Sequence, residues 1–180
     1  LYGEVMNFLD YARLYDIEDE ALCDSLTKQY SSVDWEDHRW GHNDGRTHHT
    51  EEDNTKILFP ENEIIFDICG KVFTDYSRHF DIGLIDHTHA RLSKYTEGAY
   101  LRSHHDHIKD MFDGERRGIP ICTVVGLLND DFKGGEFFLC NEDMELQKGH
   151  VIVFPSIFMY PHEVKRVTKG TRYSFVSWAW

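Results

Sequence analysis

Apolar residues along this chain follow one spacing up to about residue 82 and another beyond it. Over residues 18 to 30 they fall at Ala21, Leu22, Leu26 and Tyr30, with acidic residues leading and Lys28 late. That three-to-four spacing predicts an amphipathic helix, and the charge order suits its dipole. From about Glu61 to Phe80, the positions Ile64, Ile65, Ile68, Val72, Phe73 and Tyr76 predict a longer helix with one apolar face. From Ile82 onward, short β-branched and aromatic runs are cut by turn signals such as Asn129-Asp-Asp and Lys133-Gly-Gly. Strands are expected near 84–95, 99–106, 119–128, 135–139, 150–155, 161–167 and 171–179. Helices followed by many strands predict a mainly β fold with supporting helices, a double-stranded β-helix or jelly roll. The helical support would occupy roughly 1–82 and the jelly-roll core roughly 83–180.

Composition narrows this picture. At 180 residues, 41% hydrophobic and 14% aromatic, the chain can bury a sizeable core and is expected to form a single domain. No apolar run reaches the length needed to span a bilayer, and no signal-peptide pattern opens the chain. It begins at Leu1 without a methionine, which leaves room for a leader removed upstream. The four cysteines, Cys23, Cys69, Cys122 and Cys140, lie far apart without C-x-x-C spacing. They are expected to be reduced core residues of a cytoplasmic protein. A formal charge of −13 argues against a surface that tracks nucleic-acid phosphates, and is open to cationic partners such as a basic peptide. Two polar stretches are expected to be loops. Residues 36–56 carry His38, His42, His48 and His49, and residues 108–118 follow the candidate ligand strand closely enough to be a substrate lid.

The chemistry concentrates in His104-x-Asp106, His162 and Arg172. Two imidazoles and a carboxylate are the donor set of a mononuclear iron(II) site that leaves positions open for co-substrate and oxygen. Residues two apart on a strand share a face, so His104 and Asp106 are expected to reach one metal while His105 and His107 point away. His162 would arrive on a distant strand. Arg172, after the Lys169-Gly170 turn, could hold an organic diacid through a bidentate, charge-assisted pair.

Here the chain resembles the prolyl 4-hydroxylase-like iron(II)/2-oxoglutarate dioxygenases. Tyr95-Thr-Glu-Gly98 through His104-His-Asp106 is similar to their Y-x-x-G-x5-H-x-D segment. Thr123-Val-Val-Gly-Leu-Leu-Asn129 and Gly134-Gly135-Glu136 are similar to their T-x4-L-N and GGE segments. Lys148-Gly149 to Phe154-Pro155, Pro161-His162-Glu-Val164, and Gly170-Thr-Arg172-Tyr-Ser174 to Trp178 resemble their closing strands. The resemblance covers roughly residues 84 to 180. Leu127 stands where many relatives carry a tyrosine, and Pro120 where some carry an arginine.

The resemblance implies an oxygenase that uses iron(II), 2-oxoglutarate and O2, with ascorbate as a candidate auxiliary reductant. His104, Asp106 and His162 would hold the metal, and Arg172 the far carboxylate of 2-oxoglutarate, with Tyr95, Thr123 and Ser174 as hydrogen-bond partners. The implied reaction hydroxylates a C–H bond and releases succinate and CO2. A prolyl residue of a peptide or protein is the expected substrate; a free amino acid, another small molecule and a lysyl side chain stay open. Other readings are a non-catalytic jelly-roll binding module and a cupin-type metal enzyme that ignores 2-oxoglutarate. Of the twelve histidines most cannot be ligands, and His87-x-His89 is read as two partly exposed strand residues. Trp178 and Phe154 are expected to be core aromatics first and cavity wall second.

Overall fold

The computed structural model describes residues 7–41, 47–48, 54–106 and 120–180. The expected loop 108–118 lies outside the described residues, as do His42, His49 and His107.

A 3-10 turn (Phe8–Tyr11) precedes strand β1 (Arg13–Asp16) and helix α1 (Glu20–Ser31). Short strands β2 (Glu36–Asp37), β3 (Trp40–Gly41), β4 (Thr47–His48) and β5 (Thr55–Leu58) lead to helix α2 (Glu63–Phe80). Then come β6 (Arg91–Tyr95), β7 (Leu101–His104), β8 (Cys122–Leu127), β9 (Lys133–Gly134), β10 (Phe137–Leu139) and β11 (Glu142–Asp143). The chain closes with β12 (His150–Pro155), β13 (His162–Val164), β14 (Val167–Lys169) and β15 (Arg172–Ala179).

Both helices begin where the sequence supplies a cap. The Asp19 carboxylate accepts from the Leu22 N–H at 2.8 Å, and the Asn62 side chain accepts from the Ile65 N–H at 3.0 Å. The buried stripe of α2 is Ile65, Cys69, Phe73 and Tyr76, so the apolar face sits slightly rotated from the expected one and Ile64 is half exposed. Spacing alone set Ile64 and Ile65 on one side; packing against the sheet chose between them.

Seven strands form the major sheet, in the order β1-β12-β8-β15-β6-β5-β2, and four form the minor one, β11-β10-β13-β7. Alternation along the central strands explains the layering. Val124, Val151, Val153 and Phe175 join Leu26, Ile65, Cys69 and Phe73 in a core between sheet and helices. Their neighbours Val125, Ile152, Phe154, Val176 and Trp178 join Leu101, Phe137, Leu139 and Val164 of the minor sheet in a second core. Both faces of the major sheet are therefore covered, and all eight residues of β15 are buried. This is the jelly-roll form with helices backing one sheet. Gly126 permits it at one point, since a Cβ there would fall 2.1 Å from the Phe175 ring.

Three strand expectations change. The run 84–95 forms a strand only from Arg91, with His87 making one isolated bridge to Ala179. His87 and His89 instead stack on Phe66 of α2, at 4.1 and 4.6 Å between ring centroids. The run 161–167 splits into β13 and β14, because β13 pairs with β7 and β10 while β14 turns away to pair with β9. And β7 ends at His104, leaving Asp106 in the bend beyond it. All four cysteines are free; Cys23, Cys69 and Cys122 are buried as expected, while Cys140 is only partly so.

Candidate metal centre

His104 and His162 are brought together by strand register. In the antiparallel pair β7–β13 they sit directly opposite each other, and their rings approach to 4.3 Å between centroids. Phe154 packs edge-on against His162 at 4.9 Å. Asp106, from the bend after β7, closes the triangle, with its Oδ1 3.5 Å from His104 Nε2 and 3.6 Å from His162 Nε2. These separations exceed hydrogen-bond length and match donor atoms arranged around a common centre.

The side-chain orientations bear this out. His104 Nδ1 lies 2.9 Å from the Arg102 carbonyl, and His162 Nδ1 3.2 Å from that of Tyr160. A carbonyl only accepts, so each Nδ1 carries the proton and each Nε2 presents a lone pair towards Asp106 Oδ1. The other carboxylate oxygen is engaged elsewhere: Oδ2 accepts from Thr123 Oγ1 at 2.9 Å and from Trp178 Nε1 at 2.9 Å. Ser156 Oγ lies 2.7 Å from Thr123 Oγ1, and can donate to it once the threonine proton is spent on Asp106. Three potential ligand atoms thus face one point, and all lie within 4.8 Å of one another.

Electrostatics favour the metal-ready protonation state. Burial opposes ionisation of Asp106, yet in acid the attraction of imidazolium charge at His162 and His104, with the Trp178 N–H, outweighs it and holds the carboxyl well below the usual range. Burial pushes His162 down to about 4, so its imidazole is neutral at physiological pH despite the attraction of Asp106. The donor set and its protonation fit a divalent iron ion.

Arg172 lies farther along the same cavity. It is 1% exposed, donates from Nη1 to Ser174 Oγ at 2.8 Å, and stands 5.3 Å over the Tyr95 ring. Its Nε and Nη2 are buried with no hydrogen-bond partner among the described residues. An unmatched guanidinium in such a place is costly, and an anion that completes it removes the penalty. Gly135, at φ +69, makes room for it: a Cβ there would sit 3.0 Å from Arg172 Cδ. Asn129 sets the start of β15, accepting the Tyr173 N–H at 2.7 Å and donating to the Thr171 carbonyl at 2.7 Å. Around these residues the free interior space is about 30 Å³. A groove of about 750 Å³ beside α2 and His87 is remote from this chemistry.

The model of the 2OG-Fe(II) oxygenase superfamily matches residues 90–180, half of the chain and every element that carries these groups. The chain belongs to the 2OG-Fe(II) oxygenase superfamily. Iron(II), 2-oxoglutarate and O2 are accordingly its cofactor and co-substrates. No curated protein matches the chain by sequence. Solved structures share the oxygenase's fold. A prolyl-4-hydroxylase of Pseudomonas putida aligns at TM-score 0.69 and 17% identity over 93% of this chain and 91% of that one. A Trichoplax adhaerens prolyl hydroxylase, solved with a peptide fragment of hypoxia inducible factor, aligns at 0.66 and 18% over 96% and 85%. The viral collagen prolyl hydroxylase of Paramecium Bursaria Chlorella virus-1 aligns at 0.65 and 15% over 94% of each. Among the described residues no helix is long and apolar enough to cross a membrane.

Of the residues expected from sequence, the oxygenase brings His104, Asp106 and His162 together at one end of the cavity and Arg172, Tyr95 and Ser174 at the other. Thr123, expected beside Arg172, instead stands on Asp106, because on β8 it pairs with Trp178, six residues along β15 from Arg172. Sequence reasoning missed two contributions. Trp178 is a core residue as expected, and its indole N–H, which the sequence did not reveal, also holds the candidate ligand carboxylate. Arg91 also lines the cavity, and its place at the start of β6, four residues before Tyr95, is the signal that could have found it.

Proposed function

We propose that this oxygenase hydroxylates a prolyl residue of a peptide or protein, with His104, Asp106 and His162 as the iron ligands and Arg172 as the anchor for 2-oxoglutarate. The observation that carries the substrate class is the fit of prolyl hydroxylase structures over more than nine-tenths of this chain, its helical half included. One of them holds a peptide.

When bound, iron(II) and 2-oxoglutarate supply the oxidising power: one atom of O2 enters succinate as CO2 leaves, and the other enters the product hydroxyl. The chain's own residues supply position and protonation. Backbone carbonyls of Arg102 and Tyr160 fix the imidazole tautomers. Thr123 and Trp178 engage one oxygen of Asp106, which keeps the other turned to the metal position. Burial raises the pKa of Tyr95 even against Arg172, so its phenol stays protonated and can donate to the far carboxylate beside Arg172 and Ser174. Ascorbate would serve only to return oxidised iron to the ferrous state.

The test is to supply iron(II), 2-oxoglutarate and O2 with a panel of prolyl peptides and free amino acids, following succinate and a mass gain of one oxygen. Peptide hydroxylation that vanishes in Asp106→Ala supports the reading. Hydroxylation of free amino acids alone would replace it with the small-molecule reading.

A further inference from the structure

Besides Arg172, a second guanidinium lines the cavity. Arg91 shares the inward face of β6 with Ser93 and Tyr95 and lies opposite Val176 of β15. Its Cζ stands 5.2 Å over the ring of Trp178, whose N–H holds Asp106, so Arg91 lies at the metal end while Arg172 lies at the other. Its Nε is buried without a hydrogen-bond partner, and it forms no ion pair with any described residue. Burial lowers its pKa, against attraction from Tyr95 and Asp106 in the other direction.

Charge counting shows what this residue lacks. In the loaded site, the two positive charges of iron(II) and the one of Arg172 are balanced by the two carboxylates of 2-oxoglutarate and that of Asp106. Arg91 is then the surplus. Arg91 is only partly exposed, its Nε is shut off from water, and it pairs with no described carboxylate, so a ligand that brings a counter-charge to it is favoured. The chain as a whole carries −13 and repels anions at long range, so an anionic substrate would need a specific cation within the site.

We infer that Arg91 is a specificity-determining residue that binds a carboxylate carried by the substrate next to the C–H bond to be hydroxylated. This rests on the hydroxylase reading and sharpens it. The carboxylate is either the α-carboxylate of a free amino acid or an acidic group flanking the target prolyl ring; Arg91 would recognise both through the same paired N–H donors.

The experiment uses the anaerobic complex with iron(II) and 2-oxoglutarate and reads the perturbation of its visible band by matched pairs of ligands. The pairs are L-proline against L-prolinamide, and N-acetyl-prolyl-aspartate amide against its asparagine counterpart. Wild type is expected to bind the carboxylate member of at least one pair about tenfold or more tightly, as a buried charged hydrogen bond requires. The pair that discriminates identifies the source. Arg91→Met, which keeps length and removes an unpaired charge, should bring the ratio to about one, and Arg91→Lys should restore part of it. In the same variants 2-oxoglutarate affinity should stay within about twofold.

Wild type that distinguishes neither pair, or binds no member of them, overturns the proposal. So does discrimination that survives in Arg91→Met. A collapse of 2-oxoglutarate affinity in Arg91→Met also overturns it, by assigning the guanidinium to the co-substrate. Wild type that fails to bind 2-oxoglutarate at all would instead bring down the hydroxylase reading, and this proposal with it.

Discussion

Trp178→Phe isolates the support given to the proposed metal-ligand carboxylate, Asp106. The indole N–H donates at 2.9 Å to Asp106 Oδ2, inside a site where Asp106 is 5% exposed. A hydrogen bond to a buried charge contributes about 1.5–3 kcal/mol. Its loss leaves Thr123 Oγ1 as the remaining side-chain donor to that oxygen among the described residues. The carboxylate then rotates more freely and protonates more readily, since this N–H is among the groups that hold its pKa down. Iron(II) affinity should fall about tenfold to a hundredfold, the usual cost of removing a group that orients a ligand. The phenyl ring keeps most of the apolar volume, so thermal stability should fall by only a few degrees. The assay is competitive titration of iron(II) under anaerobic conditions, alongside Thr123→Val, which removes the other donor. Affinity within about twofold of wild type in both variants would refute the claim that these donors aim Asp106 at the metal.

Arg172→Met should weaken 2-oxoglutarate binding about a hundredfold by calorimetry while leaving iron(II) affinity unchanged. Its denaturation midpoint should stay level or rise, because the substitution removes a guanidinium with two unpaired buried nitrogens. Gly135→Ala places a Cβ at φ +69 and 3.0 Å from Arg172 Cδ, and should cost about 1–3 kcal/mol in chemical denaturation while also weakening 2-oxoglutarate binding. For metal-free protein, the His162 pKa of about 4 sets the pH dependence. The folded state holds this imidazole neutral while the unfolded chain protonates near 6.5. Its stabilising effect is therefore complete above that value and lost as pH falls towards 4, amounting to about 2 kcal/mol between pH 7.5 and 5. His162→Asn should flatten that part of the urea-denaturation profile; an unchanged profile would contradict the burial argument.

The sequence made the donor set legible because ligand chemistry restricts residue type and strand period restricts spacing. It could not show that β7 stops at His104. The bend that carries Asp106 is what lets the carboxylate face two histidines on paired strands, and it follows from long-range pairing with β13. The same applies to Thr123, expected beside the far carboxylate of 2-oxoglutarate, and to Trp178, expected in the core: only the β8–β15 register sets them side by side on Asp106. The helices were legible from periodicity, apart from the rotation that exposes Ile64, which the sheet decides. Short strands such as β1 and β5 escaped because four-residue segments carry little period of their own and gain their form from their neighbours, β12 for β1 and β6 and β2 for β5. Arg91 was overlooked because, inside the expected strand 84–95, a lone arginine carries no pattern that marks it as cavity-facing. Its significance comes from the cavity that closes around it.

The central claim is that one cavity holds iron at His104, Asp106 and His162 and anchors 2-oxoglutarate at Arg172. Its most direct test is anaerobic titration of metal-free protein with iron(II) and 2-oxoglutarate, watching for the visible charge-transfer band, with His162→Ala and Arg172→Met in parallel. A band that needs both additions, disappears in His162→Ala and requires about a hundredfold more 2-oxoglutarate in Arg172→Met is the predicted result. A band of unchanged strength in His162→Ala, or none at all from a folded wild-type protein, would contradict it.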